Sequence, residues 1–174
     1  MRNQLFIYTL AGIFFTIIAG TFSHFLYQWS GNNQYIGLVA PVSESVWEHM
    51  KMAFFPMLLY CSIENILLKK KYPCIYKANA CGIYIGVFSI PVLFYTYTGI
   101  LGKNYLAGDI AVFCLGVVFA FLSSYRLAEA TPASSCKRKS KIAACYYAAV
   151  LLLFLCFILF TLYPPVKIGL FQVP

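Results

Sequence analysis

The residues most able to do chemistry are few. The chain holds two histidines and five acidic residues in 174 positions. Five of these seven, His24, Glu44, Glu48, His49 and Asp109, fall at places that the hydropathy pattern puts near one level. Three of them sit in one segment, Pro41–Lys51 (PVSESVWEHMK). On a helix Glu44 and Glu48 stack on one face, with His49 about 100° away. Two imidazoles and up to three carboxylates suit a divalent ion such as zinc, with His24, His49 and Asp109 as ligands. Glu48 would then serve as general base for a metal-bound water. The same set can relay a proton or grip a cationic solute. A structural reading competes: Ser45-x-x-Glu48 is a capping box, or Ser43 caps the helix with Val42 and Trp47 as its hydrophobic staple. Glu44 and Glu48 also suit a helix N-terminus and can pair with Lys51.

The elements that would position these groups are membrane spans. The apolar fraction is 61% and the charged fraction 10%, against about 45–50% and 25% in soluble domains. So short a chain cannot bury that much apolar surface on its own. Five runs of about 20 apolar residues occur, over about 5–29, 46–68, 78–101, 105–125 and 142–163. The expected fold is all-α, a polytopic membrane helix bundle forming a single domain over 1–174. The first run is too long for a secretory signal and lacks a small-x-small cleavage site, so it is expected to remain as a helix.

Thirteen basic residues give a net charge of +8. Ten of them, Arg2, Lys69, Lys70, Lys71, Lys77, Arg126, Lys137, Arg138, Lys139 and Lys141, fall on one side of a five-helix bundle. Lys51, Lys103 and Lys167 fall on the other. The positive-inside rule puts the N-terminus in the cytoplasm and the C-terminus outside, and this distribution replaces any nucleic-acid reading. The expected location is the cell membrane, in bacteria the plasma membrane, with membrane lipid as the surrounding partner. Seven scattered cysteines without a C-x-x-C pair read as free packing residues.

Small-residue stripes mark the faces that meet other helices. They are Gly12, Thr16, Gly20, His24 and Gln28; Asn79, Gly82, Gly86 and Ser89; and Asp109, Gly116, Ala120 and Ser123. His24 and Asp109 therefore turn inward, Asp109 either one turn into its helix or at its N-cap. The last span has no polar stripe and is expected to be the most lipid-exposed. Glu64 is expected to snorkel toward Lys69–Lys71. Trp47 reads as an interfacial anchor, and Pro56 and Pro91 as kinks that free carbonyls.

The segment PVSESVWEHMK, followed by aromatics and Pro56, resembles the signature P-V-N-E-S-x-W-E-H-x-K of a family of small uncharacterised bacterial multipass membrane proteins. Pro41, Val42, Glu44, Ser45, Trp47, Glu48, His49 and Lys51 match, and Ser43 replaces Asn. The resemblance implies a multipass protein but no activity. The Ser/His/Asp/Glu inventory is also similar to that of intramembrane zinc hydrolases, though their seven helices and late H-x-x-x-H are missing. No H-E-x-x-H, Walker A, G-x-S-x-G or G-x-G-x-x-G occurs, which argues against energy-coupled pumping by this chain alone. Three functions fit: binding or transport of a metal ion, proton or small solute, with or without a partner membrane protein; metal-dependent catalysis on a lipid or lipid-linked substrate; and a purely structural or assembly role.

Overall fold

A computed structural model describes residues 2–131, 141–165 and 167–174. Lys137, Arg138 and Lys139, three of the ten basic residues counted above, lie outside the described residues, as does Cys136. Regular structure among the described residues is helical throughout. Five helices are long and apolar enough to cross a membrane: α1 (Arg2–Trp29), α3 (Val46–Leu68), α4 (Ile75–Leu101), α5 (Leu106–Ala130) and α6 (Lys141–Leu162). A one-turn helix, α2 (Gln34–Gly37), lies in the connection between α1 and α3, and a 3-10 turn, Gly169–Phe171, follows α6.

Helix ends follow local chemistry. Gly102 at φ 76° closes α4, its N–H bonded to Thr98 O, because only glycine enters the left-handed region without a Cβ clash. Helix α5 continues to Ala130, five residues past the expected end at Tyr125, since no breaker intervenes before Thr131.

Helices α1, α3, α4 and α5 pack around one core, with α6 laid against α4. The most extensive contact is between α4 and α5. A Cβ added at Gly82 would stand 2.6 Å from Ala120 O, and one at Gly86 would stand 2.8 Å from Gly116 O. The α5 stripe ends on Ser124, which is buried, and not on Ser123. Ser124 Oγ donates to Asn79 Oδ1, and Asn79 Nδ2 donates to Glu64 Oε2 at 2.9 Å. Glu64 therefore does not snorkel toward the lysines: it is buried between α3 and α4, where an amide partner replaces its hydration. Trp47 also departs from expectation. It is buried against Phe157, Phe160 and Phe171 rather than placed at a membrane interface, because α6 and the turn after it cover that face of α3.

The basic end of the bundle is closed by a smaller cluster of Leu5, Leu68, Ile75, Ala78 and Ala128, and Lys71 Nζ bonds Gln4 Oε1 there at 2.6 Å. Cys74, just before α4 at this end, is disulfide-bonded. That corrects the expectation of seven free thiols. Spacing along the chain does not reveal that Cys74 is paired. Cys61, Cys81, Cys114, Cys145 and Cys156 are free.

Candidate functional site

At the opposite end, the 30–45 segment folds back over the bundle and carries Glu44 to a point between two helices. Ser45 caps α3, its Oγ accepting the Glu48 N–H at 3.4 Å, while Ser43 Oγ donates to Ser45 Oγ at 3.2 Å. The Glu48 side chain does not return to the Ser45 N–H as a full capping box would. It reaches further back and accepts the Val42 N–H at 2.9 Å, fixing the strand of chain that leads to Glu44.

His24 projects from α1 and His49 from the first turn of α3, their ring centroids 5.5 Å apart. The Glu44 carboxylate bridges them, Oε1 3.6 Å from His24 Nε2 and Oε2 3.4 Å from His49 Nε2. One ligand atom from each of the three residues falls within 4.8 Å of the others. His49 Nδ1 lies 3.0 Å from Ser45 O. A carbonyl only accepts, so Nδ1 carries a proton and a neutral ring leaves the Nε2 lone pair facing Glu44. His24 Nδ1 is buried with no partner among the described residues.

The other expected site residues are placed differently. Asp109 is in the first turn of α5, where Tyr97 OH donates to Oδ1 and Asn104 Nδ2 donates to Oδ2 at 3.5 Å. It does not join the histidine cluster, but it lines the same cavity. Glu48 belongs to another network altogether. Its Oε2 is 2.6 Å from Lys51 Nζ, with side chains 5% and 0% exposed. Lys51 Nζ also donates to Gly37 O at 2.8 Å and to Thr161 Oγ1 at 2.9 Å. This buried pair therefore pins α2, α3 and α6 together. Thr161, the only hydroxyl in the apolar stretch 148–162, and Tyr97 were the partners that sequence reasoning missed. The Thr161 hydroxyl is visible as a sequence oddity, whereas nothing in the sequence marks Tyr97.

Beneath the cluster lies a cavity of about 710 Å³ between α1, α3, α4 and α5. His24, Glu44, His49, Asn104 and Asp109 form its polar rim; Ile17, Met52, Ile90, Phe94, Val112 and Phe113 form its walls. Residues 2–173 match a family described as a family of unknown function, DUF6512. The chain belongs to DUF6512. Membership agrees with the expectation of a family without known activity, and it assigns no role to these residues. No curated protein and no solved structure matches the chain. For this DUF6512 member, what the site can do has to be read from its donors: two imidazole nitrogens and a carboxylate, the ligand types that zinc takes.

Proposed function

We propose that this DUF6512 protein binds a divalent metal ion, zinc by its donor set, at the outer-leaflet end of a cytoplasm-in, five-span bundle. The observation that carries the reading is the Glu44 bridge, one carboxylate oxygen 3.6 Å from His24 Nε2 and the other 3.4 Å from His49 Nε2, with one ligand atom of each residue within 4.8 Å of the others. At metal–ligand distances of about 2.0–2.2 Å the edge of a tetrahedral site is about 3.4 Å, so the three donors must draw together around an ion. His24, His49 and Glu44 would be the ligands, and the Ser45 carbonyl would orient His49 as an outer-shell partner. Glu44 is the adjustable member, 60% exposed and ahead of the helix. Three protein ligands leave a fourth position open toward the cavity.

Binding accounts for the layout better than transport does. Below the rim the core is apolar, with Ile83, Val87, Phe113 and Val117 buried. The next buried carboxylate, Glu64, is sixteen residues along α3 from Glu48, about 24 Å away by helical rise. A second reading, hydrolysis of a lipid substrate, is favoured by Asp109 facing the same cavity. Asp109 would then be the proton acceptor, because Glu48 is occupied by Lys51 and the Val42 N–H.

Elemental analysis of the purified protein, followed by cobalt titration read by visible absorption, tests the proposal. One ion per chain is expected. Affinity should fall by at least about 100-fold in His49→Ala and Glu44→Gln, with helicity retained, and acidification should release the ion as the imidazoles protonate. A wild-type protein that neither carries nor takes up metal overturns it.

A further inference from the structure

The cavity is far larger and more apolar than an ion requires. A metal and a few waters, at about 30 Å³ each, fill a small part of its 710 Å³, which lies within the range of sites for whole organic ligands. Its charged and imidazole groups are confined to the rim, and the one hydroxyl on the wall, Thr21, is bonded to the Ile17 carbonyl of its own helix. From His24 the wall descends α1 as far as Ile17, about 10 Å at 1.5 Å per residue. Met52, Ile90, Val112 and Phe113 face that space from the other three helices.

The cavity also reaches the outer surface of the bundle. Phe25, Leu106 and Ile110 belong to its lining and are 41%, 77% and 55% exposed, at the adjoining ends of α1 and α5. In a membrane those three side chains meet lipid. A compartment that is apolar inside, polar at one end and open sideways to the bilayer suits an amphiphile entering from the leaflet, not a solute entering from water.

Charge narrows the headgroup. Among the described residues, Glu44 and Asp109 are the only charged side chains of the lining. A divalent ion at His24, His49 and Glu44 balances those two carboxylates, so a net anionic head gains nothing there. We propose that the cavity takes an acyl chain of a zwitterionic glycerolipid, its ester or phosphate oxygen directed to the open position at the rim. The headgroup part rests on the metal reading above; the chain part rests on the cavity alone.

Photolabelling in vesicles tests it, using phosphatidylcholine with a diazirine midway along one acyl chain and mapping the labelled peptides by mass spectrometry. Label is expected on the α4 and α5 segments around Ile90 and Phe113. It should be lost in Cys114→Trp, which fills the interior, and in Ile110→Trp, which blocks the exposed mouth without touching the core. Labelling of α6 around Leu152 and Leu155, on the exposed surface, serves as the control and should not change. Excess unlabelled phosphatidylcholine should compete better than phosphatidylglycerol. Cavity label that survives both tryptophans, label confined to exposed faces, or stronger competition by the anionic lipid overturns the proposal. The two readings fail separately. Bound metal without cavity label defeats the lipid, and cavity label without bound metal defeats the ion.

Discussion

Lys51 shows how much a single side chain can carry in a membrane bundle. Its ammonium is fully enclosed, yet every direction holds an oxygen: Glu48, the Gly37 carbonyl and Thr161. A buried charge is tolerated only when paired and hydrogen-bonded, and removing one partner strands the other. Lys51→Met should therefore destabilise the protein by about 3–5 kcal/mol, while Glu48→Met/Lys51→Met together should cost clearly less than the two single changes added. Thermal unfolding of the four proteins in detergent measures the coupling, and strictly additive losses would refute the network. The Glu48–Lys51 pair and the Ser45 cap were legible in the sequence, but the partners from other elements were not. Glu48 and His49 adjoin in the chain but serve different sites, because 100° of helix turns one toward α6 and the other toward α1. Nothing in PVSESVWEHMK says which neighbour lies on which side.

At the scale of elements, sequence and structure agree where the physics is one-dimensional. Long apolar runs become spans because backbone groups in hydrocarbon must be satisfied within the helix. Helix α6, lacking any polar stripe, has the smallest buried share of the five, 11% of its apolar window. Stripes were legible to within one residue: Gly82 and Gly86 meet α5, but the hydroxyl that pairs with Asn79 is Ser124, since four-residue spacing from Gly116 and Ala120 reaches 124 and not 123. The glycines allow a paired prediction. Gly86→Ala places a methyl against Gly116 O and should cost about 1–3 kcal/mol by overpacking. Gly99→Ala, in the same helix with nothing within 4 Å of its added Cβ, should stabilise by up to about 1 kcal/mol through helix propensity. Equal effects of the two changes on the melting temperature would contradict the α4–α5 contact.

For the whole molecule, two features pull the orientation in opposite directions. The structure removes Lys51 from the loop charges by burying it against Glu48, so of the three basic residues assigned to the far side only Lys103 and Lys167 remain. Against them stand the ten expected at the basic end, seven of them among the described residues. A lysine or arginine in a short loop resists translocation, so the asymmetry argues for that end in the cytoplasm. The disulfide at Cys74 sits at this same end and argues the other way, since disulfides are rare where glutathione keeps thiols reduced. Charge acts during insertion and is not reversible afterwards, whereas a thiol pair follows whatever redox poise it later meets. Orientation should therefore follow the charges. Alkaline phosphatase fused after Pro174 is expected to be active, and green fluorescent protein fused at the same point dark. A fluorescent C-terminal fusion with an inactive phosphatase would invert the bundle and move the His24–Glu44–His49 cluster to the cytoplasmic leaflet.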